Sequence, residues 1–527
     1  MTLTRRGFAQ GSAALAAAAI VPSLPAAGQA TPKQAAPKQD TLRVRRSIGD
    51  LIRENSPIVE SYRRAVDVMM QRDVTDKTSW WFQANIHDLP DDDLAKLKSL
   101  TPYWRQCPHK NYHFLSWHRA YLHFFERIVR KASGDPNFTL PYWAYEDPQQ
   151  ATLPVAFLPD NDEIGKDATT PALSRRNPLA RANRLEHVDR RWIGLGSVAS
   201  DVSVAMALDR FATDDKLDAL KVFGGVRAAG LRDEQAAGAV EATPHNLVHK
   251  TIGLQGDMGS PDTAARDPIF WLHHANIDRL WAKWTDPARG RIPPVDDEVW
   301  MKTKFTFVDE DGRDRVMTGE EVLDTQFQLG YRYDDDPQRT QQLDMKVVIA
   351  RAPAGGPMAK GVARMAPNEP VVVARSGALA VAARESQVAL AAVARPAAPS
   401  GAMPGGAAPR LRVVLRDVVA GARTPPYDVY LVQDGHAALA AGANAVRIGG
   451  LDLFGGAGHG AHAQHGGATL AFDASDAVAQ LTGGRGFDAS RLRVAIVRRG
   501  FPVTTGGEFV PDDPDPPRIG AIELIQS

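Results

Sequence analysis

The sequence predicts a mainly α domain followed by a C-terminal antiparallel β domain, either a sandwich or a small barrel. Three observations carry this. Several stretches before Asp344 repeat apolar residues at helical spacing. Composition shifts at Ala350 into "RAPAGGPMAKGVARMAPNEP", a Gly/Pro/Ala linker. Beyond it, short alternating apolar runs are bounded by Gly, Pro and Asp. The expected division is a leader at 1–30, a linker at 31–45, a helical domain at 46–345, a second linker at 346–370 and the β domain at 371–527.

Taken in order, "LTRRGFAQGSAALAAAAIVPSLPAAGQA" pairs Arg5 with Arg6 ahead of a short Ala-rich stretch and ends in small residues near Ala30. It resembles a bacterial twin-arginine export signal, which implies a periplasmic or secreted protein. Such export carries folded proteins and suits a chain that takes up a buried cofactor first. A Pro/Lys/Gln tether follows. "SPIVESYRRAVDVMMQ" reads as a helix, with Ser56 as N-cap and Pro57 in the first turn. "SWHRAYLHFFERIVRKASGD" reads as a second helix that stops at Gly134. "DPIFWLHHANIDRLWAKW" reads as a third, opened by Asp267 and Pro268. Residues 161–230 mix polar loop with short helices. In the last third "PVVVAR", "SQVALAAVA", "RLRVVLRDVV", "YDVYLV", "ATLAFDA", "RLRVAIVRRG" and "IGAIELI" read as strands, and "ARPAAPSGAMPGGAAP" as a mobile loop. There is no internal repeat.

Bulk properties exclude some classes. Lys+Arg and Asp+Glu balance at 62 each, which gives no electrostatic argument for nucleic acid or an acidic membrane. No apolar run reaches the roughly 18 residues of a membrane span in the mature protein. The single cysteine, Cys107, rules out an internal disulfide and leaves a thiol, a ligand or another covalent link.

The fourteen histidines are unevenly spread. "TPHNLVHK" sets His245 and His249 four apart, on one helix face. Asn246 stands where a zinc protease keeps its glutamate, which disfavours hydrolysis. A third ligand can come from "WLHHANID", at His273 or His274; periodicity does not choose. Asp278 shares a face with His274 and is expected to accept from its second nitrogen. Upstream, His118 lies on the buried face of its helix with Tyr121, Leu122 and Phe125. His109 precedes it, and His87 ends "SWWFQANIH". Imidazoles without carboxylates suit copper or zinc. His113, His123, His187 and His436 read as core or surface residues. His459, His462 and His465 read as a solvated glycine loop.

The stretches "FLSWHRAYLHFFE", "PHNLVH" and "DPIFWLHHANIDRLW" resemble the type-3 copper proteins: tyrosinases, catechol oxidases and haemocyanins. The resemblance covers Ser47 to Asp336 and, more weakly, the C-terminal part. It implies a four-helix-bundle dicopper domain, with His87, His109 and His118 on one copper ion and His245, His249 and His274 on the other. It leaves His273 structural. Cys107-Pro108-His109 resembles the C-x-H arrangement that forms a cysteine–histidine thioether in some members. "FTFVDEDGR", the Tyr331-Arg332-Tyr333 pattern and "YDVYLVQDG" resemble long plant-type polyphenol oxidases, although the N-terminal cysteines of plant members are missing here.

The resemblance implies oxidation of phenols by O2, with ortho-hydroxylation of monophenols and conversion of o-diphenols to o-quinones. Forming phenolate at pH 7 costs roughly 4 kcal/mol from a phenol pKa near 10. Glu241 and Asn246, by the same resemblance, hold a water that takes the proton. Pro261 replaces a bulky gate above one copper, and Lys250 is expected either to attract substrate carboxylates or to sit on a solvated helix face. The C-terminal domain resembles a lid that keeps a proenzyme latent until an activating protease cuts the linker. A copper chaperone is a further expected partner.

Overall fold

A computed structural model of the chain describes residues 42–345 and 371–526, apart from internal stretches of which 159–176, 185–198, 394–409 and 455–466 are the longest. The expected export signal, the 346–370 linker, the Ala/Pro/Gly loop, His187 and the His459–His465 loop lie outside the described residues.

The helices that carry the site start and stop where local chemistry directs. In α1 (Pro57–Met70) the Ser56 hydroxyl accepts from the Ile58 amide, with Pro57 at the first position. Ser79 caps α2 (Trp80–His87) by accepting from the Phe82 amide at 3.0 Å. The longest helix, α3 (Phe114–Ser133), ends at Gly134, whose φ of 68° few other residues tolerate. A fourth, α4 (Leu247–Gly253), follows a kinked turn at Glu241–Asn246. Asp267 caps α5 (Pro268–Trp284) through the Ile269 amide.

Helix α3 packs against α1 and α5. Phe125 of α3 stacks flat on Trp271 of α5, and Trp80 of α2 meets both edge-on at 5.8 and 6.0 Å. These rings are fully buried. Truncating one to alanine costs about 3–5 kcal/mol, so the three helices are held in fixed mutual register.

One strand falls where a tether was expected. Arg43–Arg45 pairs in parallel with Tyr331–Tyr333. Three residues give no periodic signal, and the buried Arg45 belies its type. Its guanidinium is paired with Glu126 at 2.7 Å and Asp278 at 3.5 Å and lies over the Tyr331 ring. "FTFVDEDGR" forms a hairpin, Lys304–Val308 with Asp314–Thr318, that presses Phe307 against Trp117 and Tyr121.

The C-terminal region is two antiparallel sheets. One has the order Ala391–Ala392, Val371–Ser376, Ala521–Gln526, Leu411–Val418, Ala468–Asp473; the other Ala445–Leu451, Tyr427–Gln433, Leu492–Arg498, Glu385–Ala389. Val413, Leu415 and Ile522 of the first share one apolar core with Val429, Leu431 and Ile496 of the second. Among the described residues no strand joins the two sheets, so they are not seen to close into a barrel. The seven expected runs all contain strand. Among the elements that escaped sequence reading, two bear on this core. "AVRIGGL" forms a strand although glycine disfavours it; Phe472 fills the space where a Cβ on Gly449 would sit, 2.2 Å from its ring. Ser475–Thr482 forms a short helix over the same core. Among the described residues no helix is long and apolar enough to cross a membrane.

The β region docks on the helical one through charge and one ring. Arg412 meets Asp218 at 2.7 Å, and Lys221 meets Asp473 at 3.6 Å. The ring is Phe454, which lies among histidines.

Candidate metal centre

Three histidines from three places converge as the first cluster. His87 ends α2, His109 sits in the loop before α3, and His118 lies one turn into α3. The His87 Nδ1 hydrogen donates to the Pro261 carbonyl at 2.8 Å, and the His118 Nδ1 hydrogen to the Phe114 carbonyl at 2.8 Å. A carbonyl cannot donate, so each Nδ1 carries the proton and each Nε2 presents a lone pair. The Nε2 of His87 is buried without a hydrogen-bond partner among the described residues. Cys107 completes the group. Its Sγ lies 3.8 Å from both ring nitrogens of His109 and 3.4 Å from His118 Nε2. Equal distances place the sulfur on the plane through Cε1 of the His109 ring.

The second cluster is built on two helices. His245 and His249 flank the start of α4, with ring centroids 4.6 Å apart. His273 and His274 come from the middle of α5. The His249 Nδ1 hydrogen donates to the Met258 carbonyl at 2.9 Å, and the His245 Nδ1 hydrogen to the Asn246 side-chain oxygen at 2.8 Å. Nε2 of His249 faces Nε2 of His274 at 3.3 Å. The two clusters touch: the His118 and His274 rings stack at 4.2 Å.

These residues fit metal ions. Burial lowers every ring, His87 to about 4 and His245 to about 3, while His118, His249 and His274 are also lowered by their neighbours. The rings are neutral at physiological pH. The Nε2 lone pairs of His87 and His245 are buried with no hydrogen-bond partner among the described residues, and a cation would satisfy them. The donors are all imidazole with one sulfur, which suits copper over magnesium or calcium.

The predicted support residues fare unequally. Asp278 does not orient His274. It is buried with Arg119 and Arg45, and the Tyr331 and Tyr333 hydroxyls donate to it at 2.5 and 2.7 Å. His274 Nδ1 finds no partner among the described residues. Arginines and phenols out-compete a neutral imidazole for a buried carboxylate. Burial opposes ionisation of Asp278, but Arg119 and Arg45 outweigh it and hold the carboxyl below its usual range. Lys250 is 1% exposed, so it is no solvated face. Pro261 is brought to the site through its backbone carbonyl. Glu241 is buried; its Oε1 accepts from the Lys110 amide at 2.7 Å, and Oε2 is unpartnered. His123 is half-buried, and burial lowers it to about 3. His436 is exposed. His113 is not a satisfied core residue: it is fully buried with neither ring nitrogen hydrogen-bonded among the described residues. His273 is equally buried, stacked on His245 at 5.3 Å, without a well-formed hydrogen bond. Distance alone therefore groups it with the ligands; His274 differs in facing the other cluster.

Sequence reasoning missed Phe454. Its ring lies flat on His249 at 4.1 Å, 17° from parallel, and edge-on to His245 and His109 at 5.6 and 5.8 Å. It is 2% exposed, in a turn after the glycine-rich strand Ala445–Leu451. A lone Phe near a glycine loop carries no sequence signal for this.

Two adjacent groups of neutral imidazoles, on helices held by aromatic packing, define a centre suited to a pair of copper ions. Residues 77–287 match the family described as the common central domain of tyrosinase. Residues 294–344 match a polyphenol oxidase middle domain, and 368–504 a domain of unknown function. The chain is 36% identical over 289 residues to a tyrosinase of a Hahella species, covering 52% of this chain and 59% of that one. It is 30% identical over 312 residues to polyphenol oxidase A1 of Vicia faba, covering 57% of this chain and 49% of that one. The matches thus span about half the length of these relatives. A latent aurone synthase (polyphenol oxidase) structure aligns over 95% of this chain and 92% of its own, with TM-score 0.55 and 20% identity, a likeness of fold. The chain thus resembles bacterial tyrosinases and long plant-type polyphenol oxidases.

Proposed function

We propose that the protein is a copper-dependent phenol oxidase that uses O2 to hydroxylate monophenols and to oxidise o-diphenols to o-quinones. The observation that carries this is the pair of touching histidine clusters inside the stretch that matches the tyrosinase central domain. His87, His109 and His118 hold one copper ion, and His245, His249 and His274 the other. The copper pair supplies O2 activation and accepts electrons from the ring. The protein fixes the ligands, excludes water and handles the phenol proton.

Glu241 and Asn246 are the proton-handling pair. The unpartnered Oε2 of Glu241 supports this, because a buried acceptor needs a donor such as water. Asn246 also fixes the tautomer of His245. Burial lifts Glu241 to about 8. A carboxyl that holds its proton cannot accept another, which favours a second reading: catechol oxidation without monophenol hydroxylation. Copper charge nearby would act in the opposite direction, toward the carboxylate.

The equidistant Cys107 sulfur supports a thioether to His109. That bond would replace an S–H and a C–H, and its two electrons and two protons would pass to O2, the oxidant of the proposed activity. Phe454 covers the His249 face, where a substrate ring would approach, which supports a latent proenzyme opened by cleavage in 346–370. Pro261 puts no aromatic gate above the first copper. An export signal at 1–30, with delivery to the periplasm or outside, completes the proposal.

The test is oxygen uptake by the copper-loaded full chain and by a form cut in the 346–370 linker, with a monophenol and its catechol. Uptake by the cut form with both substrates, after a lag for the monophenol, is expected. Uptake with catechol alone selects the second reading. No uptake with either, despite two bound coppers, refutes phenol oxidation.

A further inference from the structure

One short segment touches ligands of both clusters. The Met258 carbonyl accepts from His249, and the Pro261 carbonyl, three residues on, accepts from His87. Each bond fixes the tautomer and ring plane of a ligand in a different cluster.

The segment is stiff. The Gly259 amide donates to the Gly256 carbonyl at 3.0 Å, and Thr263 donates through its hydroxyl to the Asp257 carbonyl at 2.9 Å. The Ala264 amide closes on the Ser260 carbonyl at 2.8 Å. Met258 is fully buried. The segment also rests directly on α4. A Cβ on Gly253, one turn beyond His249, would lie 1.8 Å from the Gly259 nitrogen and 2.2 Å from the Met258 carbonyl carbon. No side chain fits there, and both obstructing atoms are backbone.

Its far end is tied to the helix of His87. The Trp80 indole donates to the Arg266 carbonyl at 3.0 Å, and the Arg266 guanidinium pairs with Asp93 at 2.9 Å. The next residue, Asp267, caps α5, which carries His274.

We propose that residues 257–261 form a positioning strap that couples the two metal sites, so that one backbone displacement turns His87 and His249 together and the affinities of both coppers change together. This rests on the two-copper reading above. Partners that orient ligand histidines are typically worth 10–100-fold in metal affinity.

The experiment uses the full chain, with Cu(I) affinity at each site read by chelator competition. Gly253→Ala must push the strap off α4. Thr263→Val removes one strap hydrogen bond at nearly constant shape and leaves a variant that folds if Gly253→Ala does not. Expected is a joint loss at both sites, about 10–100-fold for Gly253→Ala and less for Thr263→Val. The 15N shifts of the His87 and His249 Nδ1 atoms should move together in the copper-free protein, a change that loss of general stability does not produce. Loss at the second site alone, or at neither, in the folded variants overturns the strap. Failure of the unaltered chain to bind two coppers overturns the underlying reading instead.

Discussion

Replacing Phe454 by alanine in the full-length protein should raise its oxygen uptake with a catechol. The ring is 2% exposed and stacked on His249. Burying a Phe side chain stabilises by about 1.5–3 kcal/mol, and an aromatic pair adds about 0.5–1.5 kcal/mol. Alanine retains part of the apolar contact, which brings the loss to about 2–3 kcal/mol. At 1.4 kcal/mol per tenfold, the uncovered state gains about 30- to 150-fold in population. The assay is oxygen uptake with a catechol, comparing the unaltered chain, the Phe454→Ala chain and the linker-cut form at equal copper content. The variant should approach the cut form. If it stays as slow as the unaltered chain while the cut form is fast, the block lies elsewhere in the C-terminal domain and the reasoning from this ring is wrong.

Other perturbations test the same structure. Arg412→Glu sets two negative charges opposite each other at the contact with Asp218, and should raise full-length activity without changing that of the cut form. Asp278→Asn takes from the buried Arg119 its carboxylate partner and leaves Arg45 with Glu126 alone, and should cost about 3–5 kcal/mol in thermal unfolding. Because Asp278 is held below its usual range, its contribution is present above the unfolded carboxyl pKa of about 3.9 and lost as pH falls through the lower folded value; acid unfolding of the variant should therefore be less steep. Glu241 is shifted the other way, from 4.5 to about 8, so its contribution to the copper-free fold is full below 4.5 and lost as pH rises through 8. Glu241→Gln should remove that alkaline loss in denaturant titrations and lower monophenol turnover more than catechol turnover. Intact mass spectrometry of copper-exposed protein should show a mass lower by two hydrogens, and Cys107→Ser should abolish the difference.

Much of this was legible because local signals agreed with tertiary ones. Ser56-Pro57, Gly134 and Asp267-Pro268 mark helix ends by the backbone groups they satisfy, and those ends are where the structure has them. The histidine groups were legible from spacing plus family likeness. What sequence could not supply were contacts between distant segments. Asp278 lies one turn from His274, yet Arg45, Tyr331 and Tyr333, each far along the chain, decide its partners. Lys250 follows a ligand and looks like a surface charge, but the turn of α4 buries it. Phe454 arrives from the C-terminal β region, beyond every helix that carries a histidine of the site. A period in the sequence reports which face of an element is inward, and says nothing of what arrives there from elsewhere.

The parallel pairing of Arg43–Arg45 with Tyr331–Tyr333 limits where a protease can trim this protein without harm. The strands bring segments from the two ends of the helical region side by side, and Arg45 reaches from that seam to Glu126 on α3 and Asp278 on α5. A cut between 346 and 370 leaves the seam whole and frees only the covering domain. A cut before Tyr331, or loss of the chain through Arg45, would open the seam; the first loosens the two tyrosine partners of Asp278 and the second removes its Arg45 partner. Maturation at either end therefore has a hard inner boundary, and processed forms should keep residues 43–333 intact.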